Sequence, residues 1–236
     1  MIDNSGIDDP IPPSIYFGGC GFGAAFYVGV HRAMVERWGK DFYKHTVIAG
    51  GSAGAIMAIQ VALGRDTEQL GEMYLWTARE ANKRGPIFQA SACLIESVRR
   101  VLDEFTEEVH TMLNDKCFVS VTHFPFRHRF AKSWDSEEDL LQCLTATCHI
   151  PIYTHRAKST WSSMVDGAYG FAGDSLVDLH HNDTLFVGID PTADVGRSLT
   201  FSQMVGTRFL LHNFNANFVM SSINVNAVVS VAGWRI

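Results

Sequence analysis

The chain has 236 residues, 47% of them hydrophobic, and a formal net charge of −6. This length and apolar content predict one large globular α/β domain with a substantial core, and they exclude a disordered chain. The acidic balance argues against nucleic acid as a partner, because the most basic patch, Arg127-His128-Arg129 with Lys132, is short.

The N-terminal segment and the cysteines both favour a cytoplasmic protein. Residues 1–9 are polar and acidic and lack the basic and apolar regions of a signal peptide. Five cysteines in apolar surroundings are typical of buried, reduced thiols. No His or Cys grouping has zinc-site spacing, so we expect no metal and no cofactor.

The opening third of the chain predicts strand, loop, helix and strand in turn. Pro10 to Pro13 indicate an irregular lead-in over residues 1–13, followed by a single domain over 14–236. A β-type run over residues 14–17 precedes the glycine-rich loop Gly18–Gly23. A helix is predicted over about residues 24–38, with a buried stripe of Phe26, Val30, Met34 and Trp38. Two strands joined by a helix imply a parallel, right-handed crossover.

The stretch from Thr46 to Leu63 carries the most informative motif. A β-branched apolar run leads into Gly50-Gly51-Ser52-Ala53-Gly54, and a long apolar segment without Gly or Pro follows. Gly-x-Ser-x-Gly between a strand and a helix is typical of a turn that exposes a nucleophilic serine. The helix N-terminus behind it favours the negative charge that develops when a serine attacks a carbonyl. Ser52 is therefore the candidate nucleophile of an acyl hydrolase.

The middle and end of the chain predict further helices and strands. Helices are expected over residues 66–83, 90–102 and 107–113, and another is capped by Ser136 and ends before Ile150-Pro151. Strands are expected over residues 117–122, 126–131, 160–165 and 184–189, and the chain from Ser198 is ambiguous. Phe209 to Trp234 holds no Asp, Glu, Lys or Arg, but its polar residues disfavour a membrane span, so any membrane contact would be peripheral.

Three features follow predicted strands: the glycine-rich loop, Ser52 and Asp166, which begins the turn Asp166-Gly167-Ala168. Because the carboxyl ends of parallel strands line one crevice, we expect these features to meet. Attack by a serine needs a base for its proton and donors for the oxyanion. Backbone amides of the loop, with that of Ala53, are the candidate donors, and the loop residues are Gly19, Cys20 and Gly21.

The residues leave two candidates for the general base that accepts the Ser52 proton. A Ser-His-Asp triad would draw its histidine from late in the chain, but no such histidine stands in a local signature; these are His149, His180, His181 and His212. The serine motif also follows only the second strand, which is early for an α/β hydrolase. Asp166 is the alternative, since a carboxylate in contact with Ser52 can take its proton directly.

The glycine-rich loop also fits a dinucleotide-binding fingerprint, Gly19-x-Gly21-x-x-Ala24, between a strand and a helix. That fingerprint requires an acidic residue at the end of the second strand, where it binds the ribose. Here the second strand ends in Gly50-Gly51-Ser52, which disfavours a nicotinamide or flavin dinucleotide.

Several motifs, in this order and spacing, resemble the patatin-like phospholipases: Phe17 to Phe22, Val28-Gly29-Val30, Gly50 to Ala55, and Asp166-Gly167-Ala168. The Gly-Cys-Gly-Phe loop and the segment Cys148 to Tyr153 are similar to the adipose triglyceride lipase (adiponutrin) branch. The resemblance covers about residues 15–168 and continues more weakly to Pro191. It implies a three-layer α/β/α fold with a mostly parallel sheet, a Ser52–Asp166 dyad without histidine, and an oxyanion loop from Gly19 to Phe22.

The resemblance also implies the substrate class: acyl esters of lipids, met at a membrane or lipid-droplet surface. The expected function is a lipid acyl hydrolase of phospholipase A or acylglycerol lipase type. Two departures from the family pattern, Ala24 in place of a loop glycine and no Asn-x-Pro after Asp166-Gly167, keep a non-catalytic lipid-binding protein as the alternative.

Overall fold

The computed structural model describes residues 10–84, 90–105, 108–123, 127–151, 154, 157–167, 184–188, 230–231 and 234–235. The strands are β1 (Ser14–Phe17), β2 (Val47–Gly51), β3 (Cys117–His123), β4 (Arg127–Ala131), β5 (Met164–Asp166), β6 (Thr184–Val187), β7 (Ser230–Val231) and β8 (Trp234–Arg235). The α-helices are α1 (Phe26–Trp38), α2 (Ala53–Ala62), α3 (Thr67–Arg84), α4 (Ala90–Leu102), α5 (Val109–Leu113) and α6 (Glu137–Thr147). Single 3-10 turns occupy Gly21–Ala25, Phe42–His45 and Ser159–Ser163.

The main sheet has the strand order β4-β3-β2-β1-β6, and β5 also pairs with β3. The pairs β1–β2, β1–β6 and β2–β3 are parallel, whereas β4 and β5 run antiparallel to β3. The predicted α/β class with a central, mostly parallel sheet is therefore confirmed, as is the parallel pairing of the first two strands. The basic segment Arg127–Ala131 lies at one end of this strand order.

The two faces of the sheet carry different side chains because successive strand residues point to opposite sides. On one face, Ile15 and Ile48 join the main core together with residues of α1, α2, α3, α4 and α6. On the other face, Tyr16 and Ala49 form a smaller aromatic cluster with Val47, Phe118, Phe130 and Phe186. The Tyr16 and Phe186 rings are stacked with their centroids 5.4 Å apart.

Helix α2 lies in the interior, and every residue from Ala53 to Val61 is buried. This agrees with its sequence, in which every side chain except that of Gln60 is apolar. Its second residue, Gly54, lies directly on the end of β1: a Cβ at this position would clash with the carbonyls of Phe17 and Gly18. The absence of a side chain at Gly54 thus sets how closely α2 approaches β1.

The predicted helix caps are confirmed. The Asp66 N–H donates to Gln69 Oε1 at 3.0 Å, and the Gln69 N–H donates to Asp66 Oδ1 at 2.8 Å, which is a capping box at the start of α3. Ser136 Oγ accepts from the Asp139 N–H at 3.1 Å at the start of α6. All five cysteines are free and buried, as predicted.

The predicted stripe of α1 was wrong at its two ends. Tyr27, Val30, His31 and Met34 are buried, whereas Phe26 and Trp38 are only half-buried. A four-residue spacing drifts by about 40° per step relative to a helix of 3.6 residues per turn, so positions twelve residues apart do not share one face.

The strand predicted over residues 160–165 was also wrong over most of its length. A 3-10 turn occupies Ser159–Ser163, and only Met164–Asp166 is extended. One tertiary contact of this turn is a hydrogen bond from Trp161 Nε1 to Asp139 Oδ1 at 2.7 Å. The predicted strand over 184–189 is confirmed at Thr184–Val187, and most of the chain from Ser198 lies outside the described residues.

None of the helices in the described ranges is long and apolar enough to cross a membrane.

Replacing Gly54 by alanine should destabilise the protein by about 1–3 kcal/mol, because the new methyl group overpacks against β1. Gly29, within α1, has open space around its Cβ position and serves as the matched control. Gly29→Ala should raise stability by about 0.5–1 kcal/mol through helix propensity. Urea denaturation of both variants measures these changes, and equal effects would contradict the packing of α2 on β1.

His31 should make stability depend on pH. It is 3% exposed, its Nδ1 lies 2.9 Å from Thr67 Oγ1, and burial lowers its pKa to about 4, opposed in part by Asp66. In the unfolded chain His31 is protonated below about pH 6.5, whereas in the folded chain it stays neutral down to about pH 4. The free energy of unfolding therefore falls as pH drops from about 6.5 to 4, by up to ~1.4 kcal/mol per pH unit.

His31→Gln should flatten the pH dependence in this window, measured as the free energy of unfolding at pH 7, 6, 5 and 4. The control is His45→Gln, since His45 is exposed. An unchanged slope in His31→Gln would refute this role.

Candidate active site

Ser52 lies in a strained turn between β2 and α2. Its backbone has φ 55° and ψ −130°, in the positive-φ region that non-glycine residues rarely adopt. The turn is tight, since there is no room for a Cβ at Gly50, which would clash with the Gly54 carbonyl. Ser52 itself is 5% exposed and directly precedes the first turn of α2, which begins at Ala53. The predicted strand–turn–helix setting of the serine motif is thus observed.

The glycine-rich loop lies against this turn. Gly54 packs on the Phe17 and Gly18 carbonyls at the entry to the loop. The Gly18 N–H donates to the Val187 carbonyl at 2.8 Å, and the Tyr27 hydroxyl donates to the Gly18 carbonyl at 2.7 Å. Burial raises the pKa of Tyr27 well above its usual value, so the phenol stays protonated and able to donate. The entry to the loop is therefore fixed from both sides.

Within the loop, the candidate oxyanion residues have distinct positions. Gly19 is half-buried, whereas Cys20 and Gly21 are buried. Gly21 has φ 56°, a conformation that favours glycine, and it begins the 3-10 turn in which Phe22 follows. Ala53, the remaining candidate donor, is the first residue of α2.

Asp166 is fully buried at the end of β5. It lies opposite Val121 of β3, while Gly51, which precedes the serine, lies opposite Ser120. Asp166 and the residue before Ser52 thus face adjacent positions of one strand. The Asp166 N–H donates to the His149 carbonyl at 2.9 Å, which ties the end of β5 to the segment after α6.

The route by which Asp166 reaches this place differs from the prediction. The expectation was a carboxyl end of a parallel strand, but β5 is antiparallel to β3. It pairs with the part of β3 beyond the end of β2 and runs back towards Ser52. The prediction went wrong because a three-residue strand carries no sequence signal for its direction.

Two polar residues that the sequence did not single out connect the serine turn with the Asp-Gly turn. The Ser52 N–H donates to Thr147 Oγ1 at 2.8 Å, and Thr147 Oγ1 donates to the Ser120 carbonyl at 2.5 Å. Ser120 Oγ donates to the Gly167 carbonyl at 3.1 Å. Both residues are fully buried, and a buried hydroxyl requires hydrogen-bond partners. No local motif in the sequence indicates which partners these are.

Two of the described histidines, His149 and His128, lie beside this network. His149 meets Asp166 through its backbone carbonyl, and its Nδ1 lies 3.3 Å from Thr154 Oγ1. His128 Nε2 lies 2.7 Å from Ser120 Oγ. The other candidates, His180, His181 and His212, lie outside the described residues, as does Ala168. Across the described ranges, no group of three or more His, Cys, Asp or Glu residues could hold a metal ion.

Comparisons with known proteins agree with the motifs. A family model described as Patatin-like phospholipase matches residues 15–174, which is more than half of the chain. The mouse protein named 1-acylglycerol-3-phosphate O-acyltransferase Pnpla3 is 23% identical over 199 residues, covering 82% of this chain and 44% of that protein. Rat Patatin-like phospholipase domain-containing protein 2 is 28% identical over 144 residues, covering 59% of this chain and 30% of that protein.

The chain spans less than half the length of each of these two relatives. Among solved structures, the type III effector protein ExoU is similar with a TM-score of 0.40 and 11% identity, over 92% of this chain and 54% of that chain. The predicted resemblance, including its adiponutrin-branch relatives, is confirmed, and the chain belongs to the patatin-like phospholipase family.

Proposed function

We propose that this chain is a lipid acyl hydrolase in which Ser52 is the nucleophile and Asp166 is the general base. Family membership supports acyl-ester chemistry on lipids in general terms. In this proposal the loop from Gly19 to Phe22 binds the oxyanion, and the protein lies peripherally on a membrane or lipid-droplet surface.

The observation that carries the dyad is the pairing on β3. Gly51 opposite Ser120 and Asp166 opposite Val121 bring the ends of β2 and β5 to neighbouring positions. Full burial of Asp166 removes water as a competing partner for its carboxylate. A carboxylate held beside a serine hydroxyl can act as its base without a histidine between them.

The reaction then runs through an acyl-enzyme. Asp166 takes the hydroxyl proton of Ser52 as Oγ bonds to the ester carbonyl carbon. When the tetrahedral intermediate collapses, the ester C–O bond breaks and the Asp166 acid returns the proton to the leaving alkoxide. Water next gives a proton to Asp166 and attacks the acyl carbon, and that proton passes to Ser52 Oγ as the fatty acid leaves.

The negative charge on the carbonyl oxygen needs fixed donors. The Ser52 N–H is engaged by Thr147, so the proposed donors are the amides of the loop from Gly19 to Phe22 and of Ala53. The N-terminus of α2 adds its partial positive charge at the same place. Loss of one such donor typically slows acyl transfer by about 100–1,000-fold.

Ser52→Ala and Asp166→Asn should each lower ester hydrolysis by at least about 1,000-fold while the protein stays folded, because each removes a member of the dyad. Hydrolysis of a p-nitrophenyl ester and of a vesicle phospholipid measures the loss. Buried Ser97→Ala and exposed Asp103→Asn are the matched controls. Full activity in Asp166→Asn would refute the dyad, and absence of fluorophosphonate labelling in the wild type would favour a non-catalytic lipid-binding protein.

His149→Gln should keep the rate within about tenfold, because the bond of His149 to Asp166 comes from the backbone and survives the substitution. The same ester assay, with circular dichroism as a folding check, measures it. A loss as large as that of Ser52→Ala would instead support a Ser-His-Asp mechanism.

The acyl acceptor is a separate question, since the name of the mouse relative describes an O-acyltransferase. Water and an alcohol can both resolve the same acyl-enzyme. Mass spectrometry of products formed from a phospholipid, with and without added 1-acylglycerol-3-phosphate, distinguishes the two outcomes. Release of free fatty acid in both reactions supports hydrolysis. Acyl transfer to the added alcohol would instead show that the protein is a transacylase.

A further inference from the structure

We infer that Thr147 and Ser120 are positioning residues that hold Ser52 and Asp166 at a fixed separation. This inference rests on the proposed Ser52–Asp166 dyad. It concerns two fully buried residues that contact the backbone next to the dyad.

Thr147 lies at the end of the β2–β3 ladder. The last paired positions are Gly51 and Ser120. Beyond them, the Ser52 N–H reaches the Ser120 carbonyl only through the Thr147 hydroxyl, which accepts at 2.8 Å and donates at 2.5 Å. Thr147 therefore holds β2 away from β3 at the point where β2 ends, and it fixes the direction of the Ser52 backbone.

Thr147 also contacts the Asp-Gly turn. The Thr147 carbonyl accepts from the Gly167 N–H at 3.3 Å. Thr147 thus bonds to the serine turn through its side chain and to the Asp-Gly turn through its backbone. Because Asp166 immediately precedes Gly167, the length of this bridge sets the distance between the two candidate catalytic residues.

Ser120 contributes a second hydrogen bond to the Asp-Gly turn. Its Oγ donates to the Gly167 carbonyl at 3.1 Å, and Thr122 Oγ1 supports the same carbonyl at 3.3 Å. A Cβ at Gly167 would clash with the Ser120 carbonyl, so the two residues are in tight contact. Since Ser120 has one hydroxyl hydrogen, His128 Nε2, at 2.7 Å, is left to donate to Ser120 Oγ.

A misplacement of about 1 Å between reacting groups costs on the order of 100-fold in rate, whereas substrate binding depends on other contacts. Thr147→Val keeps the shape of the side chain but removes the bridging hydroxyl, and Thr147→Ser restores it. Thr145→Val is the matched control, because Thr145 lies on the same helix and its hydroxyl bonds only to the Leu141 carbonyl, at 2.8 Å, among the contacts described.

The test is p-nitrophenyl ester hydrolysis by the full chain. Thr147→Val should lower kcat about 100-fold with KM changed less than about threefold, and Thr147→Ser should stay within about fivefold of wild type. Thr145→Val should be near wild type. The inference is overturned if Thr147→Val matches Thr145→Val, or if Thr147→Ser is as slow as Thr147→Val.

Ser120→Ala provides a second arm should Thr147→Val fail to fold. It should lower kcat about tenfold at unchanged KM, a smaller loss because Thr122 still supports the Gly167 carbonyl. Ser97→Ala is its control, since that buried hydroxyl donates to the Leu94 carbonyl within α4. Equal rates for Ser120→Ala and Ser97→Ala would overturn the role of Ser120.

Amide hydrogen exchange separates this inference from the proposed function. The Ser52 amide should exchange at least about tenfold faster in Thr147→Val than in Thr145→Val, whatever the activity. A wild-type protein that neither hydrolyses esters nor reacts with a fluorophosphonate would refute the proposed function. Unchanged exchange at Ser52 in Thr147→Val would refute the bridge.

Discussion

Backbone meets backbone at three points around the β2–α2 turn, and a glycine makes each approach possible. Gly50 lies against the carbonyl of Gly54, Gly54 lies against that of Phe17, and Gly167 lies against that of Ser120. A methyl group at any of them would come closer than 3.0 Å to backbone atoms, a separation that real Cβ atoms do not show. These contacts join β1, β2, α2, β3 and the turn after β5 in one small volume. The backbone positions in the candidate site depend first on these close contacts and only then on hydrogen bonds.

This close packing also explains how a strained serine persists. A non-glycine residue at positive φ costs about 1–3 kcal/mol, and it survives only where the surrounding structure over-determines it. Ser52 is fixed on one side by the fully buried helix α2 and on the other by the hydrogen bond to Thr147. The burial of α2 therefore stabilises the fold and also holds Ser52 in its positive-φ conformation.

What the sequence could predict was local. The strand–turn–helix around Ser52, the helix caps at Asp66 and Ser136 and the parallel pairing of the first strands follow from patterns a few residues long, and they are observed. The direction of β5 and the 3-10 turn before it depend on Trp161 packing and on pairing with β3, more than forty positions away in the chain. Long-range contacts of this kind leave no periodic signal.

The positions of Thr147 and Ser120 illustrate the same limit more sharply. Each looks like an ordinary hydroxyl residue at the end of a helix or inside a strand, and its partners are set only when α6, β2 and β5 converge on β3. The family resemblance pointed to Ser52 and Asp166 because their motifs are local, but it said nothing of the bridge between them. That bridge joins two different elements. Ser52 lies in the β2–α2 turn, and Asp166 lies on a short strand that is hydrogen-bonded to the segment after α6. In the proposed dyad, the separation of Ser52 and Asp166 is therefore set by the packing of α6 on β3, through residues that are remote from Ser52 in sequence.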